Sequence, residues 1–196
     1  LAEWVGQMGV TLQPLVDALK TEMLNYPVLH ADETPVAMLD PGKGKTHRAY
    51  LWSYSIGAFE PVKAVIYDFA DSRAGKHAQE FLDTWRGTLV CDDYAGYKAL
   101  IADGVTEAGC MAHARRKFFD LHANNQSQIA QEAVVYIQKL YQVEREVAEL
   151  SPDERRRIRQ EQAKPILDEF HDWLTQYRHQ VPNGSTTAKT IDYSLK

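Results

Sequence analysis

The chain has 196 residues and only two cysteines, Cys91 and Cys110. They form no CxxC pair and have no Cys/His cluster beside them, which argues against a structural zinc site and against a disulfide framework. Buried, reduced thiols in a cytoplasmic protein are the expectation. No apolar run approaches the roughly 20 residues needed to span a membrane, and no signal peptide is visible. Positive charge is not in excess either: 22 Lys and Arg against 27 Asp and Glu give a formal net charge of −5. A protein that grips nucleic acid with its whole surface is usually basic, so any such role here has to rest on local patches. The first residue is Leu1 rather than Met, and the chain reads as a piece of a longer protein. What remains is ordinary globular composition, 44% hydrophobic and 25% charged, enough for one core plus an appendage.

Hydrophobic spacing predicts the order of elements. Trp4, Val5, Met8, Leu12, Leu15, Val16, Leu19, Met23 and Leu24 recur at helical intervals over residues 1–25. Pro14 is expected to kink or break that helix, and Pro27 to close it off. Three strand-like runs follow, "VLHADET", "RAYLWSYSIG" and "PVKAVIYDF", with the turn signal "PGKGK" after the first. Short connections make them an antiparallel meander. A helix over 74–85 carries Ala78, Phe81, Leu82 and Trp85 on one stripe. Then come a buried strand in "GTLVCDDYAGY", a short helix ended by Gly104, a fifth strand in "VTEAGC" and the helix "MAHARRKFFDLH". A helix between the fourth and fifth strands implies a parallel pair. Beyond residue 126 the pattern is helical throughout. Ser151, Pro152 and Glu154 spell a capping box that starts a new helix, with a kink expected at Pro165 and a last helix beginning near Ser185. The expected organisation is a helical segment at 1–26, an α/β core at 27–125, a helical-hairpin insertion at 126–182 and the start of a further helix at 183–196.

Three antiparallel strands, helix, strand, helix, strand, helix is the order of the ribonuclease H fold, an α/β class with a mixed five-stranded sheet and flanking helices. In that fold the first strand lies beside the fourth, parallel to it. Asp32 stands near the end of the first strand and Asp92 near the end of the fourth. Adjacent carboxylates repel, and each is costly near a core unless a cation joins them. Magnesium takes such hard oxygen ligands, and two metals about 3.5–4 Å apart can clamp a reacting phosphodiester. Aspartates at strand ends are also common where a chain simply returns to water, so the pair alone is a weak signal. Strand alternation puts His30 on the face of Asp32 and turns Glu33 and Asp93 away from the two acids. Glu33 and Asp93 are expected to face solvent, and His30 to pack in the core.

The stretches "HADETPV", "KTHRAYLW", "DDYAGY", "GCMAHARRKFFDLH" and "SPDERRRIRQ" together resemble transposases of the insertion-sequence-66 family of bacterial mobile elements, over nearly the whole chain. The resemblance implies a DDE-type enzyme: an RNase H-like core whose three carboxylates bind two magnesium ions, or manganese in their place. Such an enzyme cuts DNA at transposon ends and joins the freed 3′-hydroxyl to target DNA. Carried over by motif, the first acid falls on Asp32 and the second on Asp92, both as metal ligands and catalytic residues. The third, a Glu in a later stretch, has no counterpart, since Glu144 and Glu169 do not match its context. The fragment is therefore expected to bind metal weakly and to cleave little by itself. Where many relatives have Gly or Ala after the second acid, this chain has Asp93, whose role is open.

In "MAHARRKFFDL", Met111, Ala114, Phe118 and Leu121 share one helical face and His113, Arg116, Lys117 and Asp120 the opposite one, with Arg115 to the side. The apolar face is expected to dock on the sheet. The resemblance then favours His113, Arg115, Arg116 and Lys117 as a DNA-binding set, with Arg116 and Lys117 on phosphates, over a merely solvated face. The cluster at 154–159 is balanced by nearby acids and reads as surface pairing. DNA is the expected partner, a homo-oligomer is compatible, and a membrane is not expected. Two other readings stay open: a stand-alone RNase H-like nuclease or resolvase, which needs a third acid within the chain, and a non-catalytic interaction module.

Overall fold

The computed structural model describes residues 2–196 and divides the chain into two compact units, Leu1–Gly109 and Cys110–Lys196. The first unit begins with helix α1 (Ala2–Met23) and continues into strands β1 (Val28–Asp40), β2 (Lys45–Ile56) and β3 (Val65–Ala70). Helix α2 (Lys76–Leu82), strand β4 (Thr88–Cys91), a single 3₁₀ turn (Ala95–Tyr97), helix α3 (Lys98–Ala102) and strand β5 (Thr106–Gly109) complete it. The sheet has five strands in the order β3-β2-β1-β4-β5. β2 runs antiparallel to β1 and β3, while β4 runs parallel to β1 and β5, so the sheet is mixed. β1 and β2 form a longer hairpin than the short run "VLHADET" suggests. Gly42 and Gly44 sit in its turn at φ of 87° and 62°, a region that L side chains avoid.

One face of the sheet makes the core. Leu29 and Ala31 of β1, Trp52, Tyr54 and Ile56 of β2, and Leu89 and Cys91 of β4 are buried with Ala78, Phe81 and Leu82 of α2. Tyr54 and Phe81 stack with ring centroids 3.7 Å apart. The apolar stripe of α1 enters this core only at its end, through Leu19, Met23 and the following Leu24. Pro14 does not interrupt α1. The helix is exposed there, so water can take the carbonyl that proline leaves without a donor.

The second unit is helical: α4 (Met111–Asn125), α5 (Gln128–Glu146), α6 (Pro152–Ile158), α7 (Lys164–Arg178) and α8 (Thr186–Ser194). Its core joins Phe118 and Leu121 of α4, Ala130, Ala133 and Ile137 of α5, Phe170 and Leu174 of α7, and Ile191 of α8. The apolar face of α4 thus packs on helices of its own unit. The capping box forms: the Ser151 hydroxyl accepts from the Glu154 amide, and Glu154 accepts from the Ser151 amide. Instead of a simple kink at Pro165, the helix has a π turn at Arg159–Ala163 just before it. Proline offers no N–H to the carbonyl four residues back, and a shift to wider bonding just upstream absorbs that loss.

Candidate functional site

Asp32 lies in the first half of β1, which runs on to Asp40 rather than ending near the acid, and Asp92 directly follows the last residue of β4. The parallel register pairs Val28 with Thr88, Leu29 with Leu89 and His30 with Val90. Asp32 and Asp92 each lie two residues beyond the last pair of that register. Neighbouring strands lie about 4.8 Å apart. Both carboxylates are oriented by backbone amides: Asp32 Oδ1 accepts from the Glu33 N–H and Asp92 Oδ1 from the Tyr94 N–H, each at 3.0 Å. Both side chains are half-buried.

Alternation along β1 holds, but its consequence for Glu33 differs from the expectation. Leu29, Ala31 and Glu33 form the buried face, and the Glu33 side chain is only 1% exposed. A carboxylate is affordable there because its oxygens are satisfied. Arg73 donates from Nε and Nη2 to Oε1, and the Tyr97 hydroxyl donates to Oε2 at 2.8 Å. Burial pushes the Glu33 carboxyl up from its ordinary value, while the bonds from Tyr97 and Arg73 pull it down. His30, expected to pack, is exposed on the opposite face. Asp93 is half-buried rather than turned freely to solvent, with Oδ1 3.2 Å from Lys98 Nζ. Burial pushes the Cys91 thiol up to about 12, so it stays protonated at neutral pH and is a packing group.

Arg73, Tyr94 and Tyr97 are the residues that strand patterning does not announce. The Arg73 guanidinium lies 3.8 Å from the centroid of the Tyr94 ring, and the Tyr94 hydroxyl donates to the Arg73 carbonyl. Arg73 Nη2 stands 4.0 Å from Asp92 Oδ2. The two segments meet at Gly75 and Gly96, where a Cβ on Gly75 would come 2.3 Å from the Gly96 carbonyl oxygen. The signal that could have found Arg73 is the core-facing position of Glu33, since a buried carboxylate needs a donor. Among the described residues, no group of three or more His, Cys, Asp or Glu is arranged to hold a metal ion.

The basic set belongs to α4 in the second unit. Arg116 and Lys117 are exposed, while His113 and Arg115 are half-buried. Arg115 stands 5.8 Å from the Phe119 ring centroid, and Lys117 Nζ 4.3 Å from that of Tyr193. Arg116 and Lys117 therefore face outward from a helix whose other side is the core of that unit, whereas the His113 ring nitrogen Nδ1 is shielded from solvent.

A mixed five-stranded sheet with flanking helices, followed by a helical unit, makes this an α/β protein. The chain belongs to the Transposase IS66 family, whose model matches residues 1–196. It is similar to two proteins of Sinorhizobium fredii, each called uncharacterized, y4hP and y4qI. Both are 34% identical to it over its whole length, which is 39% and 38% of theirs. The chain thus spans about two-fifths of the length of these curated relatives. No helix among the described residues is long and apolar enough to cross a membrane.

Proposed function

We propose that this chain carries the first two acids of a DDE-type transposase centre on an RNase H-like frame. What supports the reading is the parallel register of β1 and β4, whose last pair, His30 and Val90, lies two residues before Asp32 and Asp92 on their own segments. The donor set suits magnesium or manganese in kind: hard carboxylate oxygens, each held by a backbone amide through its partner oxygen. It falls short in number, since no group of three or more His, Cys, Asp or Glu among the described residues could hold a metal, and the proposed third ligand is a Glu of a longer protein. Metal ions held there by Asp32 and Asp92 would supply charge stabilisation to phosphodiester transfer. Asp32 and Asp92 hold and orient that centre. Exposed Arg116 and Lys117 contact DNA phosphates, which fixes the duplex without reading its sequence. The substrates are transposon-end DNA and target DNA, joined by phosphoryl transfer.

The test uses the chain and a longer protein that includes the third acid. Asp32→Asn or Asp92→Asn should abolish Mn²⁺ binding by the chain, read by electron paramagnetic resonance, with its circular dichroism unchanged. In the longer protein either change should abolish DNA strand cleavage. Retained cleavage in either variant would end the assignment. Arg116→Ala should instead leave metal binding alone and make the salt dependence of DNA binding shallower, by about 0.9 in log–log slope for one lost phosphate contact. An unchanged slope would return Arg116 to an ordinary solvated position.

A further inference from the structure

We propose that Glu33 is a positioning residue that holds the Arg73 guanidinium off Asp92 and so keeps that carboxylate open to a metal cation. The metal-site reading above is its premise. One guanidinium stands between two carboxylates. It bonds to Glu33 twice, through Nε and Nη2, and stops 4.0 Å short of Asp92, beyond hydrogen-bond reach. The choice follows from solvation. The Glu33 side chain is 1% exposed and that of Asp92 is 24% exposed. An unpaired charge costs far more in the first place than in the second, so the cation goes to Glu33.

The surroundings hold the arrangement at both ends. Tyr97 is fully buried, and its hydroxyl occupies the other oxygen of Glu33, which fixes the carboxylate in one orientation. Tyr94 serves both residues of the competing pair: its ring stacks against Arg73, its hydroxyl donates to the Arg73 carbonyl, and its amide donates to Asp92 Oδ1. The tight approach of Gly75 to Gly96 locks the two backbone segments together. Arg73 and Asp92 are therefore held at a fixed spacing that a change of the arginine side chain alone could close. Without the charge of Glu33, Arg73 would turn to Asp92, and a metal would have to displace it.

The decisive variant is Glu33→Gln, which keeps shape and a carbonyl acceptor but loses the charge. In a metal-free crystal structure of this variant, Arg73 should bond directly to Asp92, at no more than about 3.2 Å. A guanidinium left where it stands overturns the proposal. In solution, Glu33→Gln should weaken Mn²⁺ binding by roughly tenfold, about 1.4 kcal/mol. Adding Arg73→Gln should then restore binding to the wild-type level or better, because the competitor is gone. A purely structural role for Glu33 predicts no such rescue, and a double variant as weak as Glu33→Gln, or a Glu33→Gln that binds as the wild type does, overturns the proposal. Should Glu33→Gln fail to fold, the double variant, which removes both charges, still decides: wild-type Mn²⁺ affinity supports the inference, and a loss of tenfold or more overturns it. A wild-type chain that binds no Mn²⁺, or one whose binding survives Asp92→Asn, would sink the metal-site reading instead. The crystal structure of Glu33→Gln judges the hold on Arg73 independently of that result.

Discussion

Two arginine–glutamate pairs, Arg73–Glu33 in the first unit and Arg159–Glu144 in the second, do different things. In the second unit Arg159 binds Glu144 through both carboxylate oxygens, at 2.8 and 2.6 Å, with the two side chains 38% and 39% exposed. In the first unit Arg73 binds Glu33 through one oxygen only, the other being taken by Tyr97, and the glutamate is sealed from water. By bond geometry the helical fork is the more ideal. By solvation it is the less consequential, because water stands ready to replace either partner. The difference teaches that an ion pair acquires structural authority from what its loss would strand. Breaking the Arg159 pair leaves both partners within reach of water, whereas breaking the Arg73 pair strands a carboxylate in the core, next in sequence to Asp32.

That contrast can be broken by mutation. Arg73→Ala should cost the most, about 3 kcal/mol of unfolding free energy, the low end for a broken buried pair because the arginine itself is partly exposed. A urea titration with the slope unchanged and the midpoint lowered would measure it, and a loss below 1 kcal/mol would equate the two forks. Tyr97→Phe removes one neutral donor from the same carboxylate and should cost about 1–2 kcal/mol by the same titration. Arg159→Ala should cost the least, no more than about 1 kcal/mol, and should fall further as salt is added. A larger loss there would mean that the fork is coupled to the π turn in which Arg159 sits, rather than lying on the surface as a separate pair.

Much of this architecture is legible in the residues. The meander, the crossover from β4 to β5 and the capped helices follow from period and punctuation, and the mixed five-stranded sheet has the strand neighbours that the element order implies. Asp32 and Asp92 are legible as acids near the first and fourth strands, and the motifs of the resemblance rather than the strand pattern single them out. Glu33 could not be read from alternation alone. Alternation correctly separates it from Asp32, but the face it then shares with Leu29 and Ala31 is the core, not solvent. Its cation comes from a loop 40 residues later, and no local pattern encodes that pairing. The same limit applies to α4. The amphipathic spacing identifies its buried side, and Phe118 and Leu121 are buried, but spacing does not say whether a sheet or other helices cover it. Pro14 shows local propensity yielding to its setting, since an exposed helix can hydrate the carbonyl that proline leaves unbonded.

The proposed centre requires Asp32 and Asp92 to hold a divalent metal jointly. Anomalous diffraction from a crystal of this chain soaked in manganese tests it most directly. The account predicts a peak within coordination distance of both carboxylates, with Arg73 still bonded to Glu33. An ordered core with the two acids turned apart and no peak between them would contradict it.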